Sequence, residues 1–157
     1  MTRLRLGDIV EIPLSTGQRA FCQYVYRDKM GPIIRVFDVI VAQGDEIAIE
    51  RFEDANLLFR PVITGLTAAV RTGLWKVIGR LSVSDFQYPN FISALYNPET
   101  GKYGNWYLWN GSEDILLDHE LAPAYHYLER LIVWHPHNIA KRIETGDNPY
   151  AYPRYGA

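Results

Sequence analysis

A single cysteine, Cys22, rules out any internal disulfide in this chain of 157 residues. It lies in an apolar run with no second Cys and no His beside it, which reads as a buried, inert thiol in a reducing compartment. No apolar run approaches the roughly 20 residues that a membrane helix needs. Asp8 and Glu11 interrupt the apolar residues behind Arg3 and Arg5, so there is no signal-peptide core. The expectation is therefore a cytoplasmic protein with no membrane partner. A surplus of positive charge is also missing. Lys and Arg number 16 against 18 Asp and Glu, for a net charge of −2. That balance disfavours nucleic acid as a partner, because neutralising phosphates takes a basic face.

The usual marks of catalysis are scarce as well. There is no Gly-x-Ser-x-Gly elbow for a nucleophilic serine, and Gly65, Gly73 and Gly79 are too far apart for a phosphate loop and lack its lysine. The four histidines, His119, His126, His135 and His137, fall within 19 residues. His135-x-His137 with Asp118 or His119 lacks zinc-site spacing and has no Cys or Glu partner in it, so these residues read as polar groups flanking a helix. Asp114 and Asp118 are a carboxylate pair of the kind glycosidic chemistry uses, but eighteen acids guarantee chance pairs. The reading is of a non-enzyme with no catalytic residues, no metal and no cofactor.

What is present is core-forming material: 48% of the residues are hydrophobic, 13% aromatic and 22% charged, a globular composition. A domain of this length buries roughly 70% of the surface its unfolded chain exposes, so it needs no staple. Strands dominate the first two thirds. DIVEIPL (8–14) alternates polar and apolar up to Pro13, and Ser-Thr-Gly turns it into QRAFCQYVYRD; PIIRVFDVIVA (32–42) follows as a third strand. Residues 45–59 stay mixed between strand and exposed segment. A short helix is expected from near Thr64 to a stop at Gly73, then the strand LWKVIGRL. FISALY (91–96) and NWYLWNG (105–111) flank the turn residues 97–101 as a second hairpin.

The period changes near the end. Leu121, Tyr125, Leu128, Leu131 and Ile132 predict a helix over 121–134 with Pro123 in its first turn, and 137–146 predicts a second, stopped by Gly146. The tail 147–157 reads as irregular, docked by Tyr150, Tyr152 and Tyr155. Strands first and helices last predict one α+β domain over 1–157: a β-rich core (6–110), a helical part (121–146) and the tail. Its core is expected as an antiparallel meander or an SH3-like, partly open barrel.

Three runs in order carry a family resemblance. GDIVEIPLSTGQRAFCQYV, then FRPVITG, then GLTAAVRTGLWKVIGRL with its Gly73-Leu74-Trp75 element resemble the Immunity protein 26 family over roughly residues 6–110. The resemblance implies a small cytoplasmic protein of bacterial toxin-immunity systems that binds and neutralises a cognate toxin. It carries over no active site, and Gly73 to Trp75 transfers only as a feature of the fold.

The charge distribution suits that role. Residues 38–54 hold six acids against Arg51 alone, and 113–129 hold five acids with no Lys or Arg. An acidic face complements the basic site of a nuclease toxin and speeds encounter, although a charge run is most often only a solvated face. Along 105–111, Tyr107 and Trp109 share one face and Trp106 and Leu108 the other; one face belongs to the core, and aromatics on the other would be interface anchors. The expected partner-binding residues are Asp45, Glu46, Glu50, Glu53, Asp54, Asp114, Asp118, Glu120, Tyr107 and Trp109. The alternative is an SH3-like module binding a peptide, small ligand or nucleic acid through a basic groove near Arg60, Arg71, Lys76 and Arg80. A hydrolase using the histidine-rich stretch is the weaker third reading.

Overall fold

The computed structural model describes residues 3–83 and 85–154. In chain order its strands are β1 (Asp8–Pro13), β2 (Arg19–Asp28), β3 (Gly31–Val36), β4 (Val62–Thr64), β5 (Lys76–Arg80), β6 (Phe91–Asn97), β7 (Lys102–Trp109), β8 (Asp114–Asp118), β9 (Glu129–Arg130) and β10 (Val133–Trp134). The helices are α1 (Leu66–Arg71) and α2 (Pro136–Thr145). They fall into two compact units, Met1–Phe86 with Val133–Asp147, and Gln87–Ile132 with Asn148–Ala157.

The first unit holds a six-stranded sheet in the order β10-β4-β3-β2-β1-β5. From β1 to β3 it is the expected meander, and β4 extends it, each strand antiparallel to the next. β5 returns beside β1, and β10 joins β4 in parallel. With β10 and β5 as separate edges the sheet is open, and no barrel closes. Ile9 and Val10 point to opposite faces and are both fully buried, so both faces of β1 are covered. On one face Ile9, Phe21, Phe37, Val39 and Phe52 cluster, with Ile47, Ile49 and Ala55 packed against them.

Residues 45–59 are therefore neither strand nor free loop. They form a strap whose Ile47, Ile49, Phe52 and Ala55 reach the core, with one 3-10 turn at Ile49–Phe52 and an isolated bridge from Phe37 to Leu57. The third expected strand stops at Val36 rather than 42; beyond it, Phe37 and Val41 form isolated bridges, to Leu57 and Arg19. At Gly79 the strap comes close enough that an added Cβ would stand 2.6 Å from Ile49 Cδ1.

The Gly-Asp opening of β1 organises a polar knot. The Asp8 carboxylate accepts from the Arg5 backbone N–H at 2.8 Å and from Arg80 Nε at 3.1 Å. Buried Gln23 donates to the Leu81 carbonyl at 2.9 Å and to the Gly7 carbonyl at 3.2 Å, and accepts from Arg35 Nε at 2.8 Å. Such a network holds a buried polar group only because its partners are complete. Val62–Thr64 is taken up by β4, so α1 starts at Leu66 rather than near Thr64. Gly73, at φ +77°, ends it, and buried Trp75 donates its backbone N–H to the Ala69 carbonyl.

The second unit has the sheet order β8-β7-β6-β9. β6 and β7 form the expected hairpin, paired from Phe91 opposite Trp109 to Asn97 opposite Lys102 with a bulge between Ala94 and Leu95. A second turn follows, in which Asn110 Oδ1 accepts from the backbone N–H of Ser112 and Glu113 at 2.9 Å each, and β8 comes back along β7. Ile92, Trp106, Leu121 and Leu128 form its core.

The helix expected over 121–134 is absent. Pro123 opens a single 3-10 turn (Pro123–Tyr125), followed by the short strands β9 and β10. The apolar residues at helical spacing all lie in the second unit, where Leu121 and Leu128 enter the core and Tyr125 packs against them from extended and 3-10 backbone, while Trp134, at the end of the span, is buried in the first unit. The two short helices thus lie at 66–71 and 136–145, and only the latter is C-terminal. α2 matches its prediction, with His135 as N-cap, Pro136 in the first turn and Gly146 left-handed at φ +72°. In the tail, Tyr152 meets Trp106 edge-on at 5.5 Å and His126 at 4.3 Å between ring centroids. Tyr155 lies outside the described residues.

Candidate partner-binding surfaces

The strap explains how five of the expected residues are displayed. Ile47, Ile49, Phe52 and Ala55 face the core, and Asp45, Glu46, Glu50, Glu53 and Asp54 between and beside them are exposed. None of the five has an ion-pair partner among the described residues. Arg19, paired with Glu11, anchors the near end by donating to the Asp45 backbone carbonyl. Asp45 and Glu46 line a shallow hollow there with Ile47, Ile49 and Ile78. At the far end Glu53 and Asp54 line a cleft of about 770 Å³ with Arg35, Phe37, Leu57 and Asp85. Arg35 in that cleft is engaged by Gln23 at 2.8 Å and by Asp85 at 3.5 Å, which leaves the rim acidic.

The other five residues belong to the second unit. Pairing puts Leu108 opposite Ile115 and Tyr107 opposite Leu116, so adjacent rows face opposite sides of the sheet. Trp106 and Leu108 lie on the core face. Tyr107 and Trp109 share the other face, where Ser93, Tyr107 and Leu116 form one row and Phe91, Trp109 and Asp114 the next. Both aromatics are half-buried, while Leu116 is 61% exposed. Asp118 sits past a bulge, opposite Trp106, and accepts the His119 backbone N–H at 2.6 Å. Glu120 lines a separate cleft with Tyr96, Tyr103, Trp106 and Tyr152. The ten residues thus divide five to each unit, and of the five in the second unit Tyr107, Trp109 and Asp114 share a face. Glu129, counted in the acidic run, is buried beside Asn148 Nδ2 at 3.4 Å.

β8 was missed as a strand, although it carries the exposed Ile115 and Leu116. Asn110-Gly111 before Asp-Ile-Leu-Leu-Asp was the available signal, since that dipeptide marks a tight reversal.

The remaining candidates have structural tasks. Burial pushes the Cys22 thiol well above its ordinary value, which removes it as a nucleophile. Burial likewise raises Tyr24, against a smaller opposing effect of Arg27. His135 Nδ1 accepts the His137 backbone N–H at 3.2 Å and the two rings stack, so this pair caps α2. Among the described residues no three His, Cys, Asp or Glu side chains converge as metal ligands. Of the basic residues singled out in the sequence, Arg80 is paired through its Nε with Asp8 at 3.1 Å.

Two open sheets of mixed strand direction with two short helices define a strand-rich α+β protein, and the motifs singled out in the sequence supply β1, β2, β4 and β5 of its first sheet. The Immunity protein 26 family model matches residues 5–99, more than half of the chain, and the chain belongs to that family. Membership makes it an immunity protein, a kind that neutralises toxins without catalysing a reaction. The match spans β1 to β6, including the Gly7-Asp8 knot and the Gly73 stop. A comparison with curated proteins and one with solved structures found no match. No helix among the described residues is long and apolar enough to cross a membrane.

Proposed function

We propose that this protein binds a cognate toxin in the cytoplasm and blocks it by occupying the toxin's basic surface with the acidic strap. The observation that carries the reading is the family match over residues 5–99. Two features support the choice of surface. The strap is pinned at both ends and through its core, so its five exposed carboxylates are held in place before a partner arrives, which lowers the ordering cost of association. Their charge is not spent on internal ion pairs, so it is available to a cationic partner. The lone buried thiol of Cys22 suits a reducing compartment.

The test is co-expression with the toxin gene adjacent to this chain's gene. The wild-type chain protects the cells, and the double reversal Glu53→Lys with Asp54→Lys lowers toxin affinity by about tenfold or more through lost complementarity. Because both positions are exposed, the same variant keeps its stability to within about 0.5 kcal/mol. Undiminished killing in the presence of folded wild-type protein sinks the reading.

A further inference from the structure

We infer that β8 is a docking edge, at which an extended, apolar segment of the toxin flanked by Lys or Arg adds to the second unit's sheet as a fifth strand. This rests on the toxin-neutralising reading and specifies a contact that the acidic strap does not supply. β8 is the outer strand of the order β8-β7-β6-β9, so its far side presents backbone N–H and C=O groups with no strand partner among the described residues. Its sequence, Asp-Ile-Leu-Leu-Asp, has no proline or lysine; the charges and the bulge that guard it lie toward its ends, at Asp114 and between Leu116 and Asp118, and not at its centre. Instead Ile115 is 42% and Leu116 61% exposed, one toward each face. An added strand would lie roughly 4.8 Å beyond β8 and extend the row Ser93, Tyr107, Leu116 by one residue, covering the apolar surface that row leaves open.

Charge selects the occupant. Glu113, Asp114, Asp118 and Glu120 bracket the apolar centre, and none has an ion-pair partner among the described residues. A second copy of this chain, paired antiparallel about Leu116, would set Asp114 against Asp118 of its mate at both ends, and like charges directly opposite destabilise a strand pair. The acids that reject self-pairing accept a segment with basic residues at its ends and an apolar middle. Main-chain hydrogen bonds would hold that segment, and the flanking charges would fix its register.

Hydrogen exchange on the full chain tests this, with and without a catalytically inactivated form of the adjacent gene's toxin. Docking slows the backbone amides of 114–118 by about tenfold or more, as edge amides gain partners. Leu116→Lys, and separately Asp114→Lys with Asp118→Lys, weaken toxin binding by about tenfold with no change in melting, because all three side chains are exposed. Toxin that binds while the 114–118 amides exchange as before overturns the docking edge and leaves neutralisation standing. Toxin that does not bind the wild-type chain removes both.

Discussion

A Cβ placed on Gly7 would stand 2.3 Å from the Leu81 carbonyl oxygen, in a backbone already at φ +93°. Both facts explain why the run that opens the family resemblance begins with Gly-Asp. The glycine lets the chain turn under Leu81, whose backbone N–H donates to the Gly7 carbonyl at 3.1 Å, and it delivers Asp8 to Arg80. Gly7→Ala meets the left-handed penalty of about 1–2 kcal/mol and, in addition, must displace backbone rather than a flexible side chain. The expected loss is roughly 3 kcal/mol or more in chemical denaturation, large beside the 5–15 kcal/mol of a typical domain. A loss below about 1 kcal/mol would mean that strand β5 yields easily at its end and that the knot does not depend on this close approach.

The strap is the element on which the proposed surface depends, and one side chain fastens it. Phe52 is 2% exposed, with its ring 5.0 Å from Phe21 and 4.9 Å from Phe37 between centroids. Phe52→Ala should cost about 3–5 kcal/mol and loosen the acids on either side of it. Toxin affinity then falls together with stability, whereas Glu53→Lys with Asp54→Lys lowers affinity alone. If Phe52→Ala keeps full affinity while destabilising, the strap is not the contact. That the strap was ambiguous in the sequence follows from this construction. Ile47, Ile49 and Phe52 are spaced to fill a core from an irregular backbone, so neither the period of two nor that of 3.6 applies. The meander, the hairpin at 97–101 and α2 were legible because each joins a clean pattern to a local stop signal. The helix over 121–134 failed for the opposite reason: its period was real, but Leu121, Tyr125 and Leu128 reach one core from a single 3-10 turn, and Glu129 and Arg130 pair with β6 as a strand. β8 went unseen because its apolar residues remain exposed, so no alternating burial pattern announced it.

At the scale of the whole molecule, the two units are interleaved along the chain, which makes the C-terminal quarter part of the fold rather than an addition to it. The family match ends at 99, yet the first unit is completed only by Val133–Asp147. That return supplies β10, whose Trp134 carbonyl accepts from Thr64 Oγ1 at 2.6 Å. It also supplies α2, whose Ile139 is fully buried and whose Arg142 guanidinium lies 3.8 Å from the Phe59 ring centroid and 5.1 Å from that of Trp134. A chain ended at Ile132 leaves Thr64 a buried hydroxyl without its acceptor and opens the space that Trp134, Ile139 and Ile143 occupy. Each of these losses is worth kilocalories, and together they rival the stability of a domain. A chain ended at Asp147 keeps all of these contacts and loses, among others, the packing of Tyr152 on Trp106 and His126 and the Asn148 amide beside buried Glu129. Thermal unfolding followed by near-ultraviolet circular dichroism should therefore show a cooperative transition for residues 1–147, at a lower midpoint than the full chain, and none for residues 1–132. A sharp, native-like transition for 1–132 would show that the meander is self-sufficient and that the matched segment alone is the folding unit.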